Sequence, residues 1–522
     1  MQGKKNYSEK LFNSFQLSER VPKENFYRQL KETLDLKFLY PRTSHLYGDT
    51  GNPSIDPVVF FKLMLVGYLE NITSDRRLVE NCSLRMDILF FLGYDIDEEL
   101  PWHSTVSRTR QLYDEKLFEE LFSNVFSLCV ESGMVSGHTQ AIDSAYIKAN
   151  ASMESIEKKQ APAASVNEFL HKSNKENFTP QRKANENKAG DEQKTISSTE
   201  KELNQLSTRN KYFEEKKIAQ HGNKITFTSY SNQTHYSPTD PDARISTKPG
   251  KPRQLNYLCN MAVDTAQGVI SHVQADYADK KDSRYTMDMT RKTRTELKKN
   301  NIALETILAD TGYSSGSNYH ELEEENITAC IPTSGVYKNQ REGFTYNKED
   351  DSFTCRNNKK LVHKKTYTNY HGHLMKSYRS SRKDCRDCPF KKTCLGKKAQ
   401  EKKFELSFYR EEYQRAWQRQ QTNYFKRMVK LRHGTIEPVF GNLINYYGLR
   451  KINTKGIKGA HKCMLMSAIA FNLKKLIKFI SHKRNSTVIA MQRELCAFSK
   501  TLFSALMRLL LTDPKFSTCN GS

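Results

Sequence analysis

The stretch Gln140-Ala-Ile-Asp-Ser-Ala-Tyr-Ile147 (QAIDSAYI, residues 140–147) decides the fold class. It is short and rich in β-branched and aromatic side chains, which reads as a strand. Asp143 stands in its middle, and a carboxylate in a core-facing strand is costly to bury unless something compensates it. Working downstream, residues 255–263 and 269–275 read as two further strands, joined by the hairpin loop Asp264-Thr-Ala-Gln-Gly268. Residues 288–299 read as a helix, 306–309 as a short buried strand closing at Asp310, 318–326 as a helix and 327–332 as a strand. The pattern is helical again over 429–449 and 461–480. In the last of these, Met466, Ile469, Leu473, Leu476, Ile477 and Ile480 share one face, while Lys474, Lys475 and Lys478 fall elsewhere. The order is three strands with a hairpin, then helix, strand, helix, strand, helix: an α/β fold with a mixed five-stranded sheet flanked by helices.

Upstream, residues 1–135 read as an all-α region. Pro57 precedes the apolar run 58–69, Ser74 is placed to cap a helix through residue 82, and another helix covers 84–92. A basic helix, HSTVSRTRQLY, follows the break at 93–102 and is expected to project Arg108 and Arg110 outward; a last helix covers 115–131. Two segments interrupt the α/β pattern. Residues 153–235 are polar, dominated at first by Lys, Glu, Asn, Gln and Ser, with a helical stretch near 203–217. Residues 335–430 are basic and contain four cysteines. Residues 486–522 form a C-terminal helical tail. No internal repeat of useful period is present.

The chain has 522 residues, with 83 Lys plus Arg against 59 Asp plus Glu, a formal net charge of +24. Its 37% hydrophobic and 11% aromatic residues suffice for a core. An isoelectric point near 9.4 favours a polyanionic partner, nucleic acid or an anionic membrane surface. No run approaches the roughly 20 apolar residues of a membrane span; the best, 502–511, is short and contains Arg508. The N-terminus lacks the apolar segment of a secretory signal. The expected location is therefore the cytoplasm, with the eleven cysteines mostly reduced.

Three carboxylates are candidates for chemistry. Asp143 and Asp310 lie in or at the end of apolar strands, and ends of buried strands in α/β sheets are where sites form. Glu437 directly precedes Pro438 and apolar Val439-Phe440, which suggests a helix start with Glu437 facing the core. Together the three suit hard, oxygen-preferring cations such as Mg²⁺ or Mn²⁺. Two such ions about 3.5–4 Å apart support phosphoryl transfer. Any one of these acids taken alone reads better as a surface or capping residue.

An ordered set of segments carries a more specific signal: IDSAYIKANAS (142–152), SPTDPDAR (237–244), LNYLCNMAVDTAQGVI (255–270), LADTGYSS (308–315), IEPVFGNL (436–443) and AIAFNLKKL (468–476). This set resembles the DDE transposases of bacterial insertion sequences, and the IS eleven-eighty-two type in the broad IS-four and IS-five grouping most of all. The stretch NPSIDPVVFFKLMLVGYLENITSDRRLVEN (52–81) resembles that group's N-terminal helical domain. The resemblance implies a ribonuclease-H-like catalytic domain over 136–485, interrupted at 153–235 and 335–430, and a DNA-binding domain over 1–135. It implies that Asp143, Asp310 and Glu437 are catalytic and hold two Mg²⁺ ions. The implied reaction is cleavage of the element's ends and joining of the freed 3′-hydroxyls to target DNA, by a homodimer in the synaptic complex. The setting it implies is the bacterial nucleoid.

The sequence departs from that group around Glu437. Relatives carry Tyr and Arg seven and four residues before the Glu and Lys seven after it, where this chain has Lys430, His433 and Ile444. Arg427, Arg432 and Lys451 are the candidates to substitute. A catalytically decayed, DNA-binding descendant is the corresponding alternative.

Other motifs compete. Gly312-Tyr-Ser314-Ser-Gly316 fits the G-x-S-x-G nucleophile elbow of serine hydrolases, with His371 and His433 as possible partners. No HGGG-type oxyanion segment accompanies it, and the elbow leaves Asp310 unexplained. Cys355, Cys385, Cys388 and Cys394 have the spacing C-x29-C-x2-C-x5-C, compatible with structural Zn²⁺, with His363 or His371 able to replace a ligand. Four reduced thiols on a solvated insertion is an equally good reading. The remaining cysteines in apolar runs (82, 129, 259, 330 and 463) read as core. Residues 371–435 hold 18 Lys/Arg and 6 Asp/Glu, half the net excess, which points to DNA contact. The interleaved Tyr409, Tyr413, Trp417, Tyr424 and Phe425 read as core. Arg76, Arg77, Arg108 and Arg110 are candidate DNA contacts of a helix-turn-helix-like reader.

Overall fold

The computed structural model describes residue 5 and residues 14–48, 54–159, 199–221, 230–246, 252–334, 341–369, 372–396 and 398–483. The tail 486–522, the apolar run 502–511 and His371 lie outside the described residues.

The strand read from QAIDSAYI is β1, Thr139–Lys148, and it is central to the main sheet. Two short strands, β2 (Glu157–Lys158) and β3 (His235–Tyr236), pair with each other and bring the two ends of the polar insertion together. They are followed by β4 (Arg244–Ser246), β5 (Gln254–Asp264) and β6 (Ile270–Tyr277). The main sheet is completed by β7 (Thr306–Leu308) and β8 (Thr328–Cys330). The order across it is β6-β5-β1-β7-β8, with β4 pairing the start of β5 on the β6 side. The sheet thus has six strands rather than five; the three-residue β4 is too short to register as a periodic pattern. β5 runs antiparallel to β1 (Ile142 opposite Ala262), whereas β7 runs parallel to β1 and β8 parallel to β7. The parallel pairs need crossovers, supplied for β7 and β8 by the helix Gly316–Glu324.

The β5–β6 hairpin has a polar anchor. Buried Asp264 accepts hydrogen bonds from the Gly137 N–H (2.7 Å), the Gln140 amide (2.8 Å) and the Ala266 N–H (2.9 Å). Each lone pair so used offsets the cost of burying the carboxylate.

The N-terminal region forms helices at Phe26–Thr33, Pro57–Leu69, Asp75–Ser83, Met86–Leu92, His103–Leu112 and Glu115–Glu131, beside shorter turns of helix. Asp56 caps the second of these through the Val58 and Val59 N–H groups, with Pro57 at the first position, where its missing donor costs nothing. Ser74 stands at the expected cap position, but its side chain makes no capping bond. These helices and the main sheet share one continuous apolar core.

The helix over 456–483 joins the two. Residues 462–473 are buried on every side, while over the last turns Leu473, Leu476 and Ile477 are buried and Lys474 and Lys478 exposed, the one-faced pattern read from the sequence. Its Asn472 pairs with both backbone groups of Ile270 at the start of β6 (2.9 and 2.8 Å). Its Lys462 ammonium donates to the carbonyls of Arg110 and Tyr113 at the end of the His103–Leu112 helix, a favourable place for a cation.

The second interruption contains structure that composition hides. Strands β9 (Phe344–Asn347), β10 (Ser352–Cys355), β11 (Lys360–Thr368), β12 (Leu374–Ser380) and β13 (Lys403–Ser407) form an antiparallel meander. It has its own small core of Phe353, Leu361, Tyr378 and Phe404. The strands are poor in apolar residues because little of either face is buried: only Leu361 is buried in the nine-residue β11. The chain then returns through the helices Arg410–Gln420 and Asn423–Tyr446.

His272 on β6 gives this fold a pH signature. Desolvation by burial, with help from nearby Lys292 and His461, lowers its pKa from 6.5 to about 4, against the opposing Gln274 hydrogen bond and Asp288 charge. The unfolded chain takes up this proton near pH 6.5 and the folded chain only near pH 4. The contribution is therefore complete above pH 6.5 and lost as pH falls toward 4, at about 1.4 kcal/mol per unit. Denaturant unfolding of wild type should lose about 2 kcal/mol more between pH 7 and pH 4.5 than unfolding of His272→Gln. Parallel pH profiles for the two proteins would refute the assignment.

Candidate functional site

In the parallel β1–β7 pair, Ala141 stands opposite Leu308. Two residues further along each strand direction come Asp143 and Asp310, so the register that buries both strands also brings these acids side by side. Their proximity shows in the Asp310 charge acting directly on the Asp143 carboxyl. Asp310 follows the last residue of β7 and caps the turn Thr311–Tyr313, its Oδ1 accepting from the Gly312 N–H (2.8 Å).

Asp143 is largely buried, its side chain 19% exposed, and meets the Arg432 guanidinium: Nη2 to Oδ2 is 2.6 Å. Arg432 is itself 7% exposed, and its Nε is buried without a hydrogen-bond partner. Burial raises the Asp143 pKa to about 6; Arg432 and the Ser144 N–H pull it down, and the Asp310 and Asp282 carboxylates push it up. The site therefore contains more negative charge than its one guanidinium neutralises.

Asp282 is the residue sequence reasoning missed. It lies in the turn Asp282–Arg284, before the helix Thr286–Lys299, and its Oδ1 accepts from the Ser144 hydroxyl (2.8 Å). A Cβ built on Gly312 would stand 3.0 Å from both Asp282 Oδ2 and Asp310 Oδ1, so the glycine leaves room where these two carboxylates converge. Beneath them lies buried Tyr313, whose hydroxyl is held protonated by burial and by the charges of Asp143, Asp282 and Asp310. Nothing in KKDSR (280–284) marks the aspartate in advance, since the segment reads as a charged loop.

Glu437 is placed differently from the expectation of a core-facing helix start. The helix Asn423–Tyr446 begins fourteen residues earlier and carries Pro438 in its interior. Position 434, whose carbonyl the proline ring crowds, is a glycine with open space around it. Glu437 is 59% exposed and pairs with His433, Nδ1 to Oε1 2.6 Å. At 100° per residue it lies about 140° around the helix from Arg432, whereas Arg432, Ile436, Val439 and Leu443 form the buried face. Among the described residues, no three His, Cys, Asp or Glu side chains are gathered as a ready metal-binding group.

The candidate DNA contacts divide. Arg76, Arg77, Arg108, Arg427 and Lys451 are exposed. Arg110 does not project outward: it is buried and bidentate to Asp75 (2.5 and 2.9 Å), because it shares the buried face of its helix with Val106. Arg432 is likewise turned inward, to Asp143. Of the aromatics expected in the core, Phe425 is buried, Tyr409, Tyr413 and Trp417 are half-buried, and Tyr424 is exposed. Tyr409 and Tyr413 pack over Gly316, where any larger residue would clash. The Ser314 hydroxyl accepts from Tyr319 (3.1 Å), and among the described residues no histidine is hydrogen-bonded to it. Cys82, Cys129, Cys259, Cys330 and Cys463 are buried as expected; Cys355, Cys385, Cys388 and Cys394 are half-buried free thiols.

Two family profiles match this chain. Residues 15–112 match a transposase domain (DUF772), and residues 354–477 match a transposase DDE domain. The second covers Arg432 and Glu437 but begins after Asp143 and Asp310. No curated protein matches the chain. The two matches, in this order, support a bacterial insertion-sequence transposase. No helix among the described residues is long and apolar enough to cross a membrane.

The Asp143–Arg432 pair makes a stability prediction. Removing one member of a mostly buried ion pair strands the other, at about 3–5 kcal/mol. Arg432→Gln should therefore lower unfolding free energy by about 3 kcal/mol, and adding Asp143→Asn should recover part of the loss. Additive single-variant losses in a double-mutant cycle would show that the pair does not interact.

Proposed function

We propose that this chain is a DNA transposase of the IS eleven-eighty-two type, with Asp143, Asp310 and Glu437 as its catalytic carboxylates. The observation that carries the reading is the register of β1 and β7, which sets Asp143 and Asp310 side by side in a sheet of order β6-β5-β1-β7-β8. That order, with β5 alone reversed, is the arrangement expected of a ribonuclease-H-like core. In this reading residues 1–135 bind the element's terminal repeats and 136–485 catalyse, with 153–235 and 335–430 as insertions and 486–522 as an accessory tail. Two copies act together on paired ends in the bacterial cytoplasm.

The donor set fits divalent ions. The carboxylates are hard oxygen donors with surplus negative charge, and the proton that burial favours on Asp143 near pH 6 marks a place where a cation would be stabilised. When bound, Mg²⁺ or Mn²⁺ would activate a water or 3′-hydroxyl and stabilise the leaving oxygen of the phosphodiester. Asp143 and Asp310 would hold the ions from the sheet. Glu437 would complete the set from the helix, releasing His433, which then becomes free to contact phosphate. Arg432 orients the Asp143 carboxylate, and Tyr313 keeps a protonated hydroxyl beneath the acids. Exposed Arg427, Lys451, Arg76, Arg77 and Arg108 would meet the DNA backbone, where they neutralise charge rather than read sequence.

A second reading, a transposase-derived DNA-binding protein without catalysis, is favoured by one specific observation: Arg432 occupies Asp143 while Glu437 faces solvent. Incubating the full-length protein with linear DNA carrying the element's ends separates the two. The transposase reading expects Mg²⁺-dependent cleavage, reduced at least about 10³-fold by Asp143→Asn, Asp310→Asn or Glu437→Gln, with DNA binding retained. Binding without cleavage under any divalent ion would establish the second reading. Cleavage that survives Glu437→Gln but not Asp282→Asn would move the third carboxylate to Asp282.

A further inference from the structure

The small inserted sheet carries an arm, residues 381–396, between β12 and β13. It contains two single-turn helices, Arg382–Arg386 and Lys391–Cys394, neither of which has a buried residue. From 381 to 396 only Asp384, Cys385, Cys388, Cys394 and Leu395 are even half-buried, while Phe390 is exposed. Leu395 is the one apolar side chain of the arm that is turned inward, and no residue of the arm is fully buried. The side chains it turns inward are chiefly sulfur. The sheet beneath has a core of only four buried residues, and cores that small are commonly stapled by a metal or a disulfide.

Cys355, the last residue of β10, lies under the arm. Cys355, Cys388 and Cys394 line one cavity of about 240 Å³, together with Phe344, Arg356 and Lys402. Cys385 stands next to Cys388 in a C-x-x-C turn, its Sγ 3.1 Å from the Ser380 hydroxyl. We propose that Cys355, Cys385, Cys388 and Cys394, three of which share this cavity although the four thiols are not gathered into a ligand set in this structure, are drawn together by one structural Zn²⁺, which pins the 381–396 arm to the edge of the inserted sheet.

Chemistry and charge both favour this assignment. Soft thiolates select zinc over the hard ions suited to Asp143 and Asp310. A C-x-x-C turn supplies two corners of a tetrahedron with Zn–S bonds of about 2.3 Å. On binding, the four thiols release their protons, and four thiolates around Zn²⁺ leave a charge of −2. Two cations and one carboxylate line the cavity: Arg356 pairs with Glu342 (2.9 Å), which leaves Lys402, whose ammonium donates to the Cys394 carbonyl (2.6 Å), as the net positive charge beside the thiols. His363 is not a substitute ligand, since its Nε2 pairs with the Thr366 hydroxyl (3.1 Å) and it does not line the cavity. The proposal does not depend on the transposase reading.

The test uses full-length protein purified under reducing conditions, with metal content read by atomic absorption. About one zinc per chain is expected, falling at least fivefold in Cys388→Ser and in Cys394→Ser. Because those variants can misfold, the wild type is also exchanged with Co²⁺. Thiolate-to-cobalt charge-transfer absorption with tetrahedral ligand-field bands supports the proposal. Chelation should speed proteolysis within 381–396 while the rest of the chain stays resistant. A zinc-free preparation that takes up Co²⁺ without thiolate bands overturns the proposal, as does recovery of any two of the four cysteines as a disulfide.

Discussion

A charge in the middle of the central strand governs how this molecule is assembled. Asp143 could not remain ionised inside the sheet without compensation, and that compensation arrives from Arg432, 289 residues later in the chain. The pair ties β1 to the helix Asn423–Tyr446 and so brings the last part of the chain onto the part of the sheet that carries Asp143. Compensation is incomplete, because Asp310 and Asp282 add negative charge on the same side. An unbalanced cluster of this kind is destabilising as it stands and is relieved by a proton or a cation.

The rest of the fold serves to make that face rigid and accessible. One apolar core runs from the N-terminal helices through the sheet, with the 456–483 helix buried between them and bonded to both. By contrast, both large interruptions leave and re-enter near neighbouring positions. β2 and β3 clamp the first, and the second emerges beyond β8 and returns through the two helices that deliver Arg432. Such insertions add little closure cost to the core, which is how an α/β domain accommodates a separate five-stranded sheet.

Legibility in the sequence followed burial. Strands β1, β5, β6, β7 and β8 and the helices between them stand where their apolar, β-branched runs place them, since a sheet covered on its faces writes that composition directly. Strands β9 to β13 are not legible because at most a few residues of each are buried, at no regular alternation, and Lys, Thr and Tyr carry no clear period there. Asp143 and Asp310 could be picked out as acids in apolar company. Asp282 could not, because its role arises from a loop folding back onto Ser144. Arg110 and Arg432 looked like DNA contacts because an arginine's partner is a matter of tertiary structure: Asp75 and Asp143 are invisible at helical spacing. Glu437 reads as opening a helix because Pro438 follows it, yet the helix begins at Asn423 and carries the proline in its interior.

Convergence of carboxylates from β1, from the end of β7 and from the late helix on shared ions is the core of the proposed function. Its most direct measurement is the anomalous scattering of Mn²⁺ in crystals of the full-length protein bound to a DNA end. Manganese is expected between Asp143 and Asp310, with Glu437 turned away from His433 and ligating at about 2.1–2.2 Å. Manganese absent from Asp143 and Asp310, or bound there with Glu437 still held by His433, would contradict it.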